Sequence, residues 1–259
     1  MMQTHRNHTG RTSAGRFDAV ICDIDGCLGS EAGGPLDLEA LAAIADWNRR
    51  AQTDRDRPIV TLCSGRPIPF VEAMSRLIAN ESLPVIGEMG AWLFFPKENR
   101  HELDPAISAD DLAAVAELAA FGRETLGPEG VTIQPGKAVS VTFWHEDTDR
   151  LRADVFPRVE SLVAQHGWPF RVSMTWFYIN CDFRHVSKAT GIARFIRHTG
   201  LDPNRLAGIG DTMSDKAIRD AVAWFGCPAN AADELKPLAD VVSKEPEAAG
   251  VLKLFQSLG

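Results

Sequence analysis

The sequence predicts an α/β fold in which a doubly wound parallel sheet carries an inserted α+β domain. Short apolar runs alternate with segments of helical periodicity over residues 17–91 and again over 185–259, as parallel strands joined by helices do. Residues 92–184 interrupt this alternation with helices that lie next to hairpin-like runs, so we expect them to form a separate domain inserted into the first.

The first half of the parallel sheet follows from three apolar runs that are bounded by turn residues. The predicted strands are 17–22, 58–62 and 84–86, and the predicted helices between them cover 38–47 and 69–80. Strand, helix and strand in this order are typical of a parallel sheet, because a parallel connection has to cross over.

The inserted segment has a different texture. Ser108 is a plausible N-cap for an Ala-rich helix, and Pro135-Gly136 marks a turn between two strands within 131–144. The other predicted elements are a strand at 92–95, helices at 110–126 and 151–166, and one strand at 170–181. Beyond them the alternation resumes, with helices at 188–198, from Ser214, from Ala231 and around 251–255, and strands at 206–209 and 223–226.

Composition and charge exclude several classes of protein. With 27 Lys and Arg against 35 Asp and Glu, the net charge of −8 repels nucleic-acid phosphates. No apolar run approaches the roughly 18 residues of a membrane span. Residues 1–16 lack the apolar stretch of a signal peptide, so we expect a disordered tail and a cytoplasmic protein. The five cysteines lack metal-ligand spacing, which favours reduced thiols over a zinc site.

Residues that suit phosphate chemistry follow the first two strands. Asp23 and Asp25 come directly after the first strand, where one carboxylate can attack as a nucleophile while the other moves a proton. A polar turn is the alternative explanation. Ser64 and Gly65 follow the second strand, where a hydroxyl and free backbone N–H groups can hold phosphate oxygens or simply cap a helix.

Two further clusters stand at the starts of later helices. Lys188 opens a predicted helix, where a cation opposes the macrodipole, so we expect an anionic group beside it; a solvated lysine is the alternative. Asp211 and Asp215 follow a later strand, and the first turn of a helix favours an acid such as Asp215 on its own account. Together Asp23, Asp211 and Asp215 offer the hard oxygen ligands that Mg²⁺ prefers.

These clusters, in this order, resemble the four motifs of the haloacid dehalogenase superfamily of phosphohydrolases. Asp23-Ile24-Asp25-Gly26 resembles the first motif, Ser64 the second, Lys188 the third, and 210–215 the fourth. The resemblance implies a Rossmann-like core, and the insertion after the third strand resembles the α+β cap of the Cof-type, sugar-phosphatase-like branch.

The resemblance implies a Mg²⁺-dependent phosphatase that hydrolyses a small phosphorylated metabolite, either a sugar phosphate or a phosphoglycolate-like acid. Asp23 would form an aspartyl-phosphate, and Asp25 would protonate the leaving alcohol and then activate water. The implied phosphate-binding residues are Ser64, Gly65 and Lys188. The implied metal ligands are Asp23, Asp25 through its backbone carbonyl, Asp211 and Asp215.

Three residues depart from the family pattern, and two other functions stay open. Cys27 stands in place of the usual Thr, and Met89 and Ser214 each stand in place of the usual Asn. The alternatives are a phosphomutase of the phosphomannomutase type and a non-catalytic protein that binds a phosphorylated metabolite.

Substrate choice is expected to depend on the inserted domain. Trp176, Phe177 and Tyr178 are candidates for stacking on a sugar, although alternation along a strand also makes them candidates for the core of that domain. Residues that could pair with a second anionic group, such as a carboxylate, are Lys137, Arg171, Arg184 and His185.

Overall fold

The structure is a computed structural model that describes residues 16–31, 33–175 and 177–258. The expected tail lies outside the described residues except for Arg16. Among the helices of the described ranges, none is both long enough and apolar enough to cross a bilayer.

Twelve strands and eight α-helices are assigned in the described residues. The strands are β1 (Ala19–Cys22), β2 (Ile59–Leu62), β3 (Val85–Gly87), β4 (Trp92–Phe95), β5 (Arg100–Leu103), β6 (Thr132–Ile133), β7 (Val141–Trp144), β8 (Phe170–Met174), β9 (Tyr178–Phe183), β10 (Leu206–Ile209), β11 (Trp224–Cys227) and β12 (Val241–Val242). The helices are α1 (Leu38–Asp54), α2 (Ile68–Leu77), α3 (Ala109–Phe121), α4 (Thr148–Arg150), α5 (Phe156–His166), α6 (Lys188–Thr199), α7 (Lys216–Arg219) and α8 (Glu247–Leu254).

Five parallel strands form the central sheet, in the order β12-β11-β10-β1-β2. A parallel bridge between Cys63 and Ile86 joins β3 to its β2 edge. Side chains along β1 alternate between two apolar clusters, because successive residues of a strand point to opposite faces. Val20 packs in the cluster that contains residues of α1, α2 and α8, and Ile21 packs in the cluster that contains residues of α6 and α7. The α/β prediction of a doubly wound parallel sheet is confirmed.

A second, antiparallel sheet has the order β6-β7-β9-β8. One face of it is apolar, and Phe143, Ile179 and Cys181 pack there against α3 and α5. Ser108 caps α3 as predicted, since its hydroxyl accepts from the Asp111 N–H and the Asp111 carboxylate accepts from the Ser108 N–H.

The hairpin β4–β5 extends β3 as an antiparallel sheet. Its side chains contact both parts of the molecule: Leu93 packs with the central sheet, whereas Trp92 and Leu103 pack against the apolar face of the second sheet. The division into 17–91 plus 185–259 and 92–184 therefore stays a prediction.

Two sequence predictions are wrong in detail. The run at 170–181 is a hairpin rather than one strand, because the Thr175 N–H donates to the Tyr178 carbonyl at 2.9 Å and reverses the chain. No α-helix starts at Ala231, because the Ala232 N–H donates to the distant Asp211 carbonyl at 2.7 Å. The short strands β5 and β12 were not predicted, since one is polar and the other has only two residues.

Candidate active site

The predicted site residues meet at the carboxyl edge of the parallel sheet. Asp23 follows β1, and its N–H donates to the Ile209 carbonyl of β10 at 3.0 Å, which places it beside the turn that carries Asp211. Ser64 lies one residue beyond Cys63, whose N–H donates to the Cys22 carbonyl at 2.9 Å. Parallel strands end on the same side, so motifs that lie far apart in sequence come together here.

Lys188 is buried between two of the predicted carboxylates. Its Nζ lies 3.0 Å from Asp23 Oδ2 and 2.6 Å from Asp215 Oδ1. Ser187 caps the helix that Lys188 opens, which fixes where the lysine side chain begins. Burial alone lowers the pKa of Lys188, but the two carboxylates outweigh burial and raise that pKa well above its usual value. The expected anionic partner is present, and the side chain is not a solvated lysine.

Asp23, Asp211 and Asp215 form a compact acidic cluster. Each offers a carboxylate oxygen, and these oxygens lie within 4.8 Å of one another. Asp23 Oδ1 and Asp211 Oδ1 are buried and have no hydrogen-bond partner among the described residues. Burial and neighbouring carboxylates raise the pKa of Asp23 to about 7 and that of Asp211 to about 9. Two unpartnered buried carboxylate oxygens fit a hard divalent cation.

The turn after β1 leaves room for this cluster because it contains glycine. Gly26 has φ +72°, and a Cβ built there would lie 1.9 Å from Asp211 Oδ2. On the other side, Asp215 Oδ2 accepts from the backbone N–H groups of Asp211 and Thr212 at 3.0 and 3.1 Å. Asp215 is therefore held by its own loop as well as by Lys188.

Ser64 and Gly65 differ in their exposure to the cavity. Ser64 is fully buried, and its Oγ accepts from the Arg66 N–H at 3.1 Å, as a turn-capping hydroxyl does. Gly65 borders the cavity described below. The Met89 N–H donates to the Ser64 carbonyl at 3.2 Å, so the segment after β3 braces this turn.

Arg66 is a site residue to which the sequence assigned no role. Its Nε lies 2.9 and 2.8 Å from the two carboxylate oxygens of Asp25, so the guanidinium forms an ion pair with Asp25. Both side chains are about a quarter exposed. The only signal in the sequence is that Arg66 follows the Ser64-Gly65 turn directly.

A cavity of about 680 Å³ lies between the carboxyl edge of the parallel sheet and the antiparallel sheet. The predicted residues that line it are Asp23, Asp25, Gly65 and Lys188. Ser64, Asp211 and Asp215 are buried and do not line it. Both catalytic candidates and two of the three phosphate candidates thus line one cavity, while Ser64, Asp211 and Asp215 lie behind its wall.

The opposite wall is the polar face of the antiparallel sheet. Residues that alternate with its buried apolar side chains line the cavity, and they include Arg171, Ser173, Asn180 and Asp182. Lys137, Phe177 and Tyr178 line it too. Arg184 and His185 do not, and Trp176 lies outside the described residues.

Comparisons with known proteins agree with this architecture. The family model of haloacid dehalogenase-like hydrolases matches residues 131–255. A phosphoglycolate phosphatase of Methanoculleus marisnigri is 30% identical over 191 residues, which are 72% of this chain and 76% of the relative. A phosphoglycolate phosphatase of Methanopyrus kandleri is 23% identical over 92% of this chain and 96% of its own length.

A solved structure shares the fold along almost the whole chain. It is a haloacid dehalogenase-like hydrolase from Bacteroides thetaiotaomicron, which covers 94% of this chain and 100% of its own, with a TM-score of 0.70 and 14% identity. The identity to the Methanoculleus marisnigri relative, the family model and the shared fold lead to one conclusion: this chain belongs to the haloacid dehalogenase-like hydrolases.

Proposed function

We propose that this chain is a Mg²⁺-dependent phosphatase that hydrolyses small phosphorylated metabolites through an aspartyl-phosphate. The observation that carries the proposal is the buried group of Asp23, Lys188 and Asp215 at the edge of a cavity, with an unpartnered oxygen on Asp23. The two relatives named phosphoglycolate phosphatase support the same reaction class.

The acidic cluster would hold the metal. The ligands we propose are Asp23, Asp211 and the backbone carbonyl of Asp25, with Asp215 beside them, and the unpartnered oxygens of Asp23 and Asp211 support this choice. When bound, Mg²⁺ would neutralise the negative charge that a carboxylate nucleophile and a phosphate share. Lys188 adds a fixed positive charge on the other side of Asp23.

In the first step, a carboxylate oxygen of Asp23 attacks phosphorus while the bond from phosphorus to the leaving oxygen breaks, and Asp25 gives its proton to that oxygen. In the second step, Asp25 takes a proton from water, the water oxygen attacks phosphorus, and inorganic phosphate leaves with Asp23 regenerated. The backbone N–H of Gly65 and the ammonium of Lys188, which border the cavity, would bind the transferring oxygens, whereas the buried Ser64 hydroxyl would hold the turn that presents Gly65. The water supplies both the oxygen and the protons, so no other reactant is needed.

One of the hydrogen bonds between Arg66 and Asp25 has to break during this cycle. It contacts both oxygens of Asp25, and a proton transfer needs one of them free. A phosphate dianion that enters the cavity competes with Asp25 for the guanidinium, which provides a physical reason for the contact to loosen.

The decisive experiment measures phosphate release from a panel of sugar phosphates, 2-phosphoglycolate, phosphoglycerates and an aryl phosphate, with and without Mg²⁺. We expect Mg²⁺-dependent turnover that the Asp23→Asn variant loses, because an amide is a poor nucleophile. Matching thermal unfolding curves for the two proteins serve as the folding control.

Two results would contradict the proposal. Near-normal turnover by Asp23→Asn would remove the nucleophile. No release from any substrate would favour the two alternatives, which differ in one product: a phosphomutase would isomerise a sugar phosphate, and a binding protein would not.

A further inference from the structure

Glu88 lies at the junction of the parallel sheet and the inserted segment, in an unusual backbone conformation. It follows β3 directly, with φ +44°, and Met89 follows with φ +55°. Left-handed backbone at two successive residues with side chains is costly and persists only where the surroundings impose it. Glu88 is also buried, with 2% of its surface exposed, and burial raises the pKa of its carboxyl. The fold therefore maintains a strained backbone at Glu88, and this strain places a buried carboxylate. We take this as an indication that the carboxylate has a structural or functional role.

The carboxylate holds a loop of the antiparallel part by its backbone. Glu88 Oε1 and Oε2 each lie 3.1 Å from the N–H nitrogen of Ala138, and Oε2 lies 3.0 Å from that of Val139. The same loop passes close to the turn after β2, since a Cβ added at Gly136 would lie 3.5 Å from the Pro67 side chain. The hydrogen bonds to Glu88 hold the loop at this edge of the cavity.

The residue between these contacts is Lys137, whose side chain lines the cavity. Its Nζ donates to the neutral Thr142 hydroxyl at 2.8 Å, and that hydroxyl donates to Asn180 Oδ1 at 3.0 Å. Among the described residues, no carboxylate lies within the 4.0 Å of an ion pair with Lys137. Burial lowers the pKa of Lys137, although the carboxylates of Asp182 and Glu88 act against this from farther away. Lys137 thus brings to the cavity wall an ammonium group that has no close counter-charge among the described residues.

We infer that Glu88 is a positioning residue: by holding the loop at Ala138 and Val139, it places the Lys137 ammonium where it pairs with an anionic group on the leaving part of the substrate. This inference rests on the proposed phosphatase function and goes beyond it, because it assigns the choice between acidic and neutral substrates to one loop. A carboxylate next to the phosphoester is the chemistry that such a cation selects.

The test compares 2-phosphoglycolate with ethyl phosphate, which has a similar size and leaving oxygen but no carboxylate. The readout is the kcat/KM for 2-phosphoglycolate divided by the kcat/KM for ethyl phosphate. Both values are measured on one preparation, so the folded fraction cancels in the ratio. We expect Lys137→Met to lower this ratio about ten- to hundredfold, through a higher KM for the acidic substrate, as the loss of one charged hydrogen bond does. Lys97→Met, at an exposed turn, is the matched control and leaves the ratio unchanged.

Glu88→Gln tests the positioning role. An amide oxygen replaces one acceptor and an NH₂ group faces the loop N–H groups, so we expect the ratio to fall in the same direction by a smaller factor, with kcat for ethyl phosphate retained. The Glu88 carboxylate also has a backbone hydrogen bond with Ile68 at the start of α2, so the double variant separates the two contacts. If the loop of Lys137 carries the effect, the double variant is no worse than Lys137→Met. Lys137→Arg should retain most of the preference for 2-phosphoglycolate, because arginine keeps the positive charge.

The outcomes distinguish a failure of the phosphatase proposal from a failure of the inference about Lys137 and Glu88. If the wild-type protein hydrolyses neither compound nor any of the panel, the phosphatase proposal fails and this inference fails with it. If the wild-type protein hydrolyses 2-phosphoglycolate and ethyl phosphate but Lys137→Met leaves the ratio unchanged, only this inference is overturned. If Lys137→Met changes the ratio and Glu88→Gln does not, or if the two effects add fully, the positioning role of Glu88 is overturned.

Discussion

Asp25 shows how one residue at a strand end combines two demands. Its backbone forms a bridge with Gly29 across the turn that follows β1, and its carboxylate lines the cavity, where Arg66 contacts both of its oxygens. Asp23, two residues earlier, is bound instead by Lys188. Adjacent carboxylates therefore face different cations, which supports different roles for them: Asp23 next to the fixed charge as nucleophile, and Asp25 next to a more exposed partner as proton carrier.

We expect Asp25→Asn to slow the first chemical step by at least about 100-fold for an alkyl phosphate, which needs a proton on its leaving oxygen. An aryl phosphate needs less help, so the same variant should release a burst of the phenol and then stall, because no base activates the water. Rapid-quench measurements of the first turnover with both substrates check this. Equal slowing of the first turnover for both would contradict the role of Asp25 as the acid.

At the scale of an element, the turn after β1 depends on the absence of a side chain. Gly26 combines a positive φ with contact against the carboxylate of Asp211, so it brings the first and fourth motifs within reach of one ion. Asn230 supports the same turn from the far side, since its Nδ2 donates to the Gly26 carbonyl at 2.8 Å. The acidic cluster is thus built by turn geometry as much as by its acids.

The chain offers a matched pair to test this. Gly26 and Gly33 have φ +72° and +75°, but a Cβ at Gly33 meets no heavy atom of the described residues within 4 Å. Both alanine variants should lose about 1–2 kcal/mol of stability from the left-handed backbone. We expect only Gly26→Ala to lose activity, by at least tenfold in kcat/KM, with a higher Mg²⁺ requirement. Urea unfolding and Mg²⁺ titration of phosphate release measure both effects, and equal activity losses would contradict the explanation.

At the scale of the whole molecule, Arg194 joins the parallel sheet layer to the segment that leads into the insertion. It lies on α6 and is buried, and its guanidinium donates to the carbonyls of Gly90, Ala91 and Glu102 at 3.4, 3.2 and 3.1 Å. It also lies 3.2 Å from the Glu102 carboxylate. Because α6 begins at Lys188, this contact ties the segment that leads into the insertion to the helix that carries this buried lysine.

This junction predicts a pH dependence of stability. Burial alone would raise the pKa of Glu102, but hydrogen bonds from Arg100, His198 and Arg194 lower it to about 2. A carboxyl whose pKa is lower in the folded than in the unfolded chain stabilises the fold above its unfolded pKa of about 4.3, and this contribution disappears as the pH falls towards about 2.

We therefore expect Glu102→Gln to reduce the free energy of unfolding by about 0.5–1 kcal/mol at pH 6, a modest value because the side chain is partly exposed. The difference between variant and wild type should shrink between pH 4.5 and pH 3. Urea unfolding at these pH values measures it. A difference that stays constant over the range would show that the effect is not electrostatic.

The parallel sheet and the candidate site residues could be predicted from the sequence. Strand and helix patterns are local, and parallel strands necessarily bring their carboxyl ends together, so Asp23, Lys188, Asp211 and Asp215 were predictable as one site. Which groups pair across the fold could not be predicted: Arg66 binds Asp25, Glu88 holds the loop of Lys137, and Ala232 donates to the Asp211 carbonyl instead of starting a helix. These contacts join segments that lie far apart in the chain, and their partners depend on distances that only the packed fold sets, because local patterns carry no information about which distant group satisfies a buried charge or a backbone N–H.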